Sequence, residues 1–319
     1  MHTEEAMETL SPFRLAPYFR TRPWGFQDLK PWFDYRTEGE PIGEVWLTGE
    51  MCAAETGPLK GASLAEITRR HRAALLGAVA ETDFPLLVKI LFPREKLSVQ
   101  VHPDDALAQQ YGEPRGKTEC WYALEAQPGA RVALGIRPGV TAAQVEAAVN
   151  DGTMESLLEM VPVAEGDMIF VAAGTVHAVG PGAVLLETQQ TSDLTYRMFD
   201  YGSARELHLE KAFAAMRLAT GAGKVAPRRV EGHSVLIDER YFRVERWPVE
   251  PESAPQLTAP HATVQMLFVL RGRIQIDGEG FEGFAVERNQ VAVVPAVTSR
   301  WTIEGEPAAE VIRILPARG

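Results

Sequence analysis

Cysteine is nearly absent from this chain: Cys52 and Cys120 are the only two in 319 residues. They form no C-x-x-C pair and are too few for a disulfide framework, which excludes a small stapled secreted fold and predicts a reducing, cytoplasmic setting. Excess positive charge is missing as well. Lys and Arg number 32 against 43 Asp and Glu, a formal net charge of −11, so the chain carries neither a basic footprint for nucleic acid nor a polybasic membrane patch. An anionic small molecule would need a local positive pocket. The start, Met1-His-Thr-Glu-Glu-Ala-Met-Glu8, is acidic rather than signal-like, and residues 1 to 11 read as a polar leader. No run approaches the ~20 apolar residues of a membrane span; the best candidate, Phe84 to Phe92, is interrupted by Lys89 and closed by Pro93. A Gly-rich phosphate cradle of the P-loop kind is lacking too.

What the chain does have is a spaced set of metal-ligand residue types. In Lys96-Leu-Ser-Val-Gln-Val-His-Pro-Asp-Asp105, Gln100 and His102 stand two apart in a strand-like run, so their side chains share one face. Gly116-Lys-Thr-Glu-Cys-Trp-Tyr122 offers Glu119 at the head of a second strand, and Gly166-Asp-Met-Ile-Phe-Val-Ala-Ala-Gly-Thr-Val-His177 offers His177. Two imidazoles, a carboxylate and a carbonyl oxygen form an N/O set suited to Zn²⁺, with Fe²⁺ or Mn²⁺ possible on similar ligands. On residue types alone, structural side chains explain these four positions equally well. The spacing Gly166, Ala172, Gly174, His177 tips the balance, because it follows the second motif of the cupin barrels, with Ala172 where Pro is usual.

These pieces carry a family resemblance. Leu97-Ser-Val-Gln-Val-His-Pro-Asp104, Gly116-Lys-Thr-Glu-Cys-Trp-Tyr122, Gly174-Thr-Val-His-Ala178 and Glu187-Thr-Gln-Gln-Thr-Ser-Asp-Leu-Thr-Tyr-Arg197 resemble, in order, the short bacterial form of the type I mannose-6-phosphate isomerases. With the weaker pieces Ile42-Gly-Glu-Val-Trp46 and Arg205-Glu-Leu-His-Leu-Glu-Lys211, the likeness covers roughly residues 15 to 215. It implies one zinc ion per chain on Gln100, His102, Glu119 and His177, a sugar phosphate substrate, and an active site containing Lys117, Glu187 and Arg197. Glu187 is the candidate carboxylate for proton transfer, and Lys117 shares the strand face of Glu119. Arg197 offers a planar fork for an enediolate or a phosphate. For the phosphate itself, Ser98 and Lys117 are the first choices, with Lys96 and Arg197 as further donors. An iron cupin oxygenase and a non-catalytic sugar-binding cupin are the alternative readings. The Pro-flanked Asp104 and Asp105 read as turn caps rather than acids.

The expected fold is mainly β: two cupin (jelly-roll) β-barrels, with a few helices inserted in and flanking the first. Ser63-x-x-Glu66 is a capping box that opens a helix over Ile67 to Val79, and Thr141-x-x-Gln144 opens a second within 138–163. Arg205 to Leu218 reads as a third helix, with Leu209, Phe213 and Met216 turned inward. Strands are expected at 84–92, 119–124, 131–136, 168–172, 183–187 and 194–199. The composition turns strand-rich after Thr220-Gly-Ala-Gly223, giving domains at 1–222 (metal-binding) and 223–319 (without a metal). Laid on the first part, the tail repeats it: Gln265 falls on Glu119, Pro295 on Ala172 and Arg300 on His177. An amide and a guanidinium provide no anionic or imidazole ligand, so the second copy should bind no metal. His233 and His261 read as packing or surface residues.

Overall fold

The computed structural model describes residues 10–251, 255–258 and 261–317. Most of the acidic leader therefore lies outside the described residues; Leu10 and Ser11, at its end, are buried. The chain is mainly β and forms two compact units. One is Phe19–Trp46 with Leu86–Ala226; the other joins the residues up to Tyr18 with Leu47–Pro85 and Pro227–Gly319.

In the first unit a seven-stranded sheet faces a five-stranded one. The run at residues 84–92 makes the strand Leu86–Leu91, buried at every position as expected of an element covered on both sides. It pairs with Ile42–Trp46 on one side and Ala183–Gln190 on the other, beyond which lie Glu119–Ala126 and then Met168–Val171. Period-two alternation sorts the side chains of the facing sheet. Val99, Val101, Ala178, Tyr196 and Met198 pack outward in a cluster with residues of the helices Ala142–Asn150 and Leu209–Ala215, while Leu134 and Val179 join Trp121, Leu91 and Leu185 between the sheets. That leaves Gln100, His177 and Arg197 on the inner face, where Gln100 lies opposite both His177 and Arg197 in the register.

The second unit repeats the plan. Its seven-stranded sheet, with Gln265–Arg271 and Val291–Val294 among its strands, faces the three strands Phe284–Glu287, Arg273–Gly278 and Trp301–Gly305 over an apolar core that includes Trp247, Leu267, Ile276 and Ile303. The repeat holds at the level of register: Glu119 pairs with Val171 in the first unit and Gln265 with Val294 in the second.

Several expectations need correction. The linear division at 222/223 differs from the observed one, because Phe13–Leu15 pairs with Val291–Val293 and Leu75 accepts a hydrogen bond from Ala296 N at 2.9 Å. The N-terminal strand and the Leu64–Leu76 helix thus belong with the C-terminal barrel, and this helix does carry the Ser63/Glu66 capping box, a motif worth about 1 kcal/mol. The helix expected across 138–163 is capped by Thr141 but runs only over Ala142–Asn150. Gly152, at φ +73°, turns the chain out of it, and Leu158–Pro162 is a strand paired with Arg131–Ile136. The third helix shortens to Leu209–Ala215, since Arg205 is held by Asp200 and Arg217 N bonds to Gly174 O at 2.9 Å. Its Leu209, Phe213 and Met216 do face the core.

Candidate active site

Backbone hydrogen bonds bring three distant segments to one point. Gly174, at φ +85°, donates to His102 O at 2.8 Å, which ties the turn before His177 to the end of the Gln100 strand. Lys117 N donates to Pro103 O at 3.0 Å, and the preceding Gly116 packs so closely on that turn that a Cβ would sit 2.4 Å from Pro103 O. Only glycine fits there. Asp104 caps the helix Asp105–Gln110, and Asp105 accepts from Gly116 N and Gln190, so both aspartates serve the turn.

The result is a buried group of His102, Glu119 and His177 whose ligand atoms all lie within 4.8 Å of one another, the one such His/Cys/Asp/Glu group found among the described residues. Glu119 lies between the imidazoles, 3.6 Å from His102 Nε2 and 3.5 Å from His177 Nε2. Each His has its Nδ1 against a backbone carbonyl: Leu194 O at 2.7 Å for His102, Thr175 O at 2.9 Å for His177. Donation there fixes the tautomer and leaves both Nε2 lone pairs on the Glu119 side, the way backbone carbonyls orient metal-bound histidines. Burial, with Lys117 nearby, holds His102 well below the usual imidazole pKa, and burial brings His177 down to about 4. Neutral imidazoles are what a cation requires, so the donor set fits a divalent metal. Gln100 joins the group with its Nε2 placed 3.2 Å from His177 Nε2; ligation through Oε1 needs the amide turned over, an assignment that follows from the neighbours.

Behind this group lies a chain of charges. Lys117 Nζ is 2.8 Å from Glu119, 3.1 Å from His102 Nε2 and 3.4 Å from Glu187. Lys89 Nζ lies 3.4 Å from Glu187 and 3.8 Å from Glu44. Burial opposes a charge on Lys117, but Glu119 and Glu187 outweigh it and raise its pKa above the usual ammonium value. Burial and the neighbouring Glu119 push Glu187 up to about 7 despite both lysines. A carboxyl poised there can both take and return a proton at neutral pH.

This group opens on a cavity of about 450 Å³ lined by Ser98, Gln100, Lys117, Glu119, Glu187 and Arg197, all singled out in the sequence. Ser98 Oγ is buried and sits 3.4 Å from Gln100 Oε1; Arg197 donates to Glu206 O at 2.6 Å. Lys96 is not part of the lining: it pairs with Glu155 at 2.6 Å, half exposed. Lys89, Glu44, Arg22 and Arg205 line the same cavity and were missed. The available signal was Lys89 itself, a charge inside the run Leu-Leu-Val-Lys-Ile-Leu, which can be buried only if paired.

Residues 13–146 match the family model for the catalytic domain of type I phosphomannose isomerase. A mannose-6-phosphate isomerase of Streptococcus mutans is 33% identical over 308 residues, covering 92% of this chain and 96% of that relative. The chain belongs to the type I phosphomannose isomerase family. Within that family, the mannose-6-phosphate isomerase ManA of Bacillus subtilis is 34% identical over 85% of this chain and 87% of its own length. A crystal structure of the Bacillus subtilis mannose 6-phosphate isomerase superposes with a TM-score of 0.84 at 31% identity, covering 96% of this chain and all of that one. The mainly β cupin fold is thus that of a phosphomannose isomerase.

Proposed function

We propose that the chain interconverts mannose 6-phosphate and fructose 6-phosphate by moving a proton between C2 and C1 through an enediolate, with one Zn²⁺ on Gln100, His102, Glu119 and His177. The observation that carries this reading is the juxtaposition of a His/Glu/His donor set, its imidazoles neutral, with a buried carboxyl raised to about 7 beside one cavity. When bound, the metal supplies Lewis-acid polarisation of the sugar's oxygens. Glu187 takes the C2 proton on its carboxylate and returns it at C1 while the O2 proton passes to O1; a proton affinity raised by burial makes the abstraction less uphill than for an ordinary carboxylate. Lys117 and Lys89 flank that carboxylate and hold the charge it carries before the first transfer and after the second. Arg197 offers its fork to the enediolate or to the phosphate. Ser98 and Lys117 complete the phosphate contacts.

Five cationic side chains line the cavity against four acidic ones, a local surplus in a chain of net charge −11. That surplus suits a phosphorylated sugar and has no use in an oxygenase. The two buried cysteines, Cys52 and Cys120, form no disulfide with each other, which fits a reducing, cytoplasmic setting. The test is conversion of mannose 6-phosphate to fructose 6-phosphate before and after chelation. Activity should vanish with the metal and return on adding Zn²⁺; full activity in protein shown by elemental analysis to lack divalent metal would refute the proposal.

A further inference from the structure

Arg300, aligned with His177, does not stand at the imidazole position expected of it: its side chain is 76% exposed and pairs with Glu279. Among the described residues the second barrel therefore presents no metal-ligand set. In the first barrel, by contrast, Arg205 lines the cavity and has no part so far in the chemistry.

A tight turn brings Arg205 there. Ser203 N donates to Asp200 O at 2.8 Å, and the two residues between them, Tyr201 and Gly202, are at φ +51° and +83°. The chain doubles back, and Arg205 donates through Nε at 2.7 Å, and also through Nη2, to the buried Asp200 carboxylate. Arg197 Nε lies 3.9 Å from the same carboxylate and has no hydrogen-bond partner. Burial, with Arg205 nearby, lowers the Arg197 pKa, as two like charges held together require. Each guanidinium has five N–H donors, yet among the described residues the pair makes three side-chain hydrogen bonds. Asp200 stands behind both and is not itself in the cavity lining.

The other cations of the lining are differently placed. Arg22, Lys89 and Lys117 pair with Glu44, Glu187 and Glu119, which line the cavity beside them. The counter-charge of Arg197 and Arg205 lies behind the wall, so this end turns two positive charges to the interior. Asp193, the remaining acid of the lining, adjoins Leu194, whose carbonyl holds His102, and so starts from the opposite end of the segment. Arg197 is two strands away from His177 across the sheet, roughly 10 Å at the spacing of neighbouring strands. In an open-chain hexose 6-phosphate the phosphorus is six bonds from C2. With C1 and C2 at the metal-capable group, the phosphate reaches the Arg197 end, where the register of Phe199 with Val99 also brings Ser98.

We propose that Arg205 binds the substrate's phosphate together with Arg197, and that Asp200 is the positioning residue that locks both guanidinia. The chemistry follows from the charges. Two guanidinia in one wall repel each other, and a single carboxylate behind them holds them together while leaving a net positive charge for a phosphate dianion. Ordering them in advance removes side-chain entropy that would otherwise be lost on binding. This role rests on the sugar phosphate proposed above.

Direct binding and kinetics test it together. Calorimetric titration of the full chain with sorbitol 6-phosphate, which has the phosphate and no carbonyl, should show saturable binding in the parent. Binding should be at least tenfold weaker in Asp200→Asn and in Arg205→Gln. With mannose 6-phosphate, KM of either variant should rise at least tenfold while kcat changes less, a split that a general loss of structure does not produce. Arg205→Gln alters a side chain already 30% exposed and decides the matter if Asp200→Asn fails to fold. Three results overturn the proposal: no saturable binding in the parent up to concentrations on the order of 10 mM, parent-like binding in Arg205→Gln, or a loss that falls on kcat with KM unchanged. In a parent that isomerises mannose 6-phosphate, any of these removes the clamp and leaves the reaction standing. A parent that binds sorbitol 6-phosphate through Arg205 and Asp200 yet isomerises nothing keeps the clamp and removes the reaction.

Discussion

Replacing Glu44 by Gln should destabilise the protein by about 3 kcal/mol at neutral pH, and the difference should close in acid. Glu44 receives two hydrogen bonds from Arg22, at 2.9 and 3.1 Å, and one from the Trp46 indole at 2.7 Å, with Lys89 3.8 Å away. Burial opposes its ionisation, but Lys89 and Arg22, helped by these hydrogen bonds, bring its pKa from 4.5 down to about 2. At ~1.4 kcal/mol per pH unit, that interval gives about 3 kcal/mol, and because the group is almost fully buried little of it is lost to solvent screening. The folded-state pKa is the depressed one. The stabilisation is therefore complete above 4.5 and disappears as pH falls through about 2. Gln keeps the volume and one acceptor, so the comparison isolates the charge. Denaturant unfolding of parent and variant at neutral pH and at about pH 3 measures the gap. Equal stability at neutral pH, or a gap unchanged in acid, would refute the argument.

Lys89→Met removes a cation that lowers the Glu187 pKa, so the acidic limb of the pH–rate profile should move to higher pH, read from kcat/KM across pH. Arg197→Lys keeps the charge but loses the planar fork, and turnover should fall at least about tenfold, ~1.4 kcal/mol of transition-state stabilisation; unchanged kinetics would make Arg197 structural. One metal should bind per chain. Elemental analysis after gel filtration should find it removed by His102→Ala or His177→Ala and retained in Gln265→Ala, and a second tightly bound ion in the parent would contradict this.

How far the chain could be read in advance depended on the range of the interactions involved. Strands with strong local signals, such as Arg131–Ile136, appear at their expected limits, and both capping boxes formed. The metal-capable group was legible because its residue types and spacing are chemically restrictive. Lys89 and Glu44 were not, since their ion-pair partners are distant in sequence: Lys89 meets Glu187 only across neighbouring strands nearly a hundred residues apart. Residues 151–163 failed for a related reason. Leu157, Leu158 and Val161 suit an inward helical stripe or a paired strand equally well, and the partner strand at Arg131–Ile136 decides the outcome. Arg300 was misread because alignment fixes a position along the chain and not the direction of a side chain at a strand's end.

The pairing of Phe13–Leu15 with Val291–Val293 also bears on how the protein is made. At about 5–20 residues per second, Phe13–Leu15 waits roughly 15 to 60 s after its synthesis for this neighbour in the sheet. The Leu47–Pro85 segment shares that delay, because its helix is held at Ala262 and Ala296. Phe19–Trp46 and Leu86–Ala226, by contrast, have their whole sheet partnership by the time residue 226 is synthesised. The half with the His102, Glu119 and His177 group can thus assemble on the nascent chain while the other half remains in two pieces. Cutting the gene after residue 222 would preserve that half only with orphaned segments at its front and in its middle.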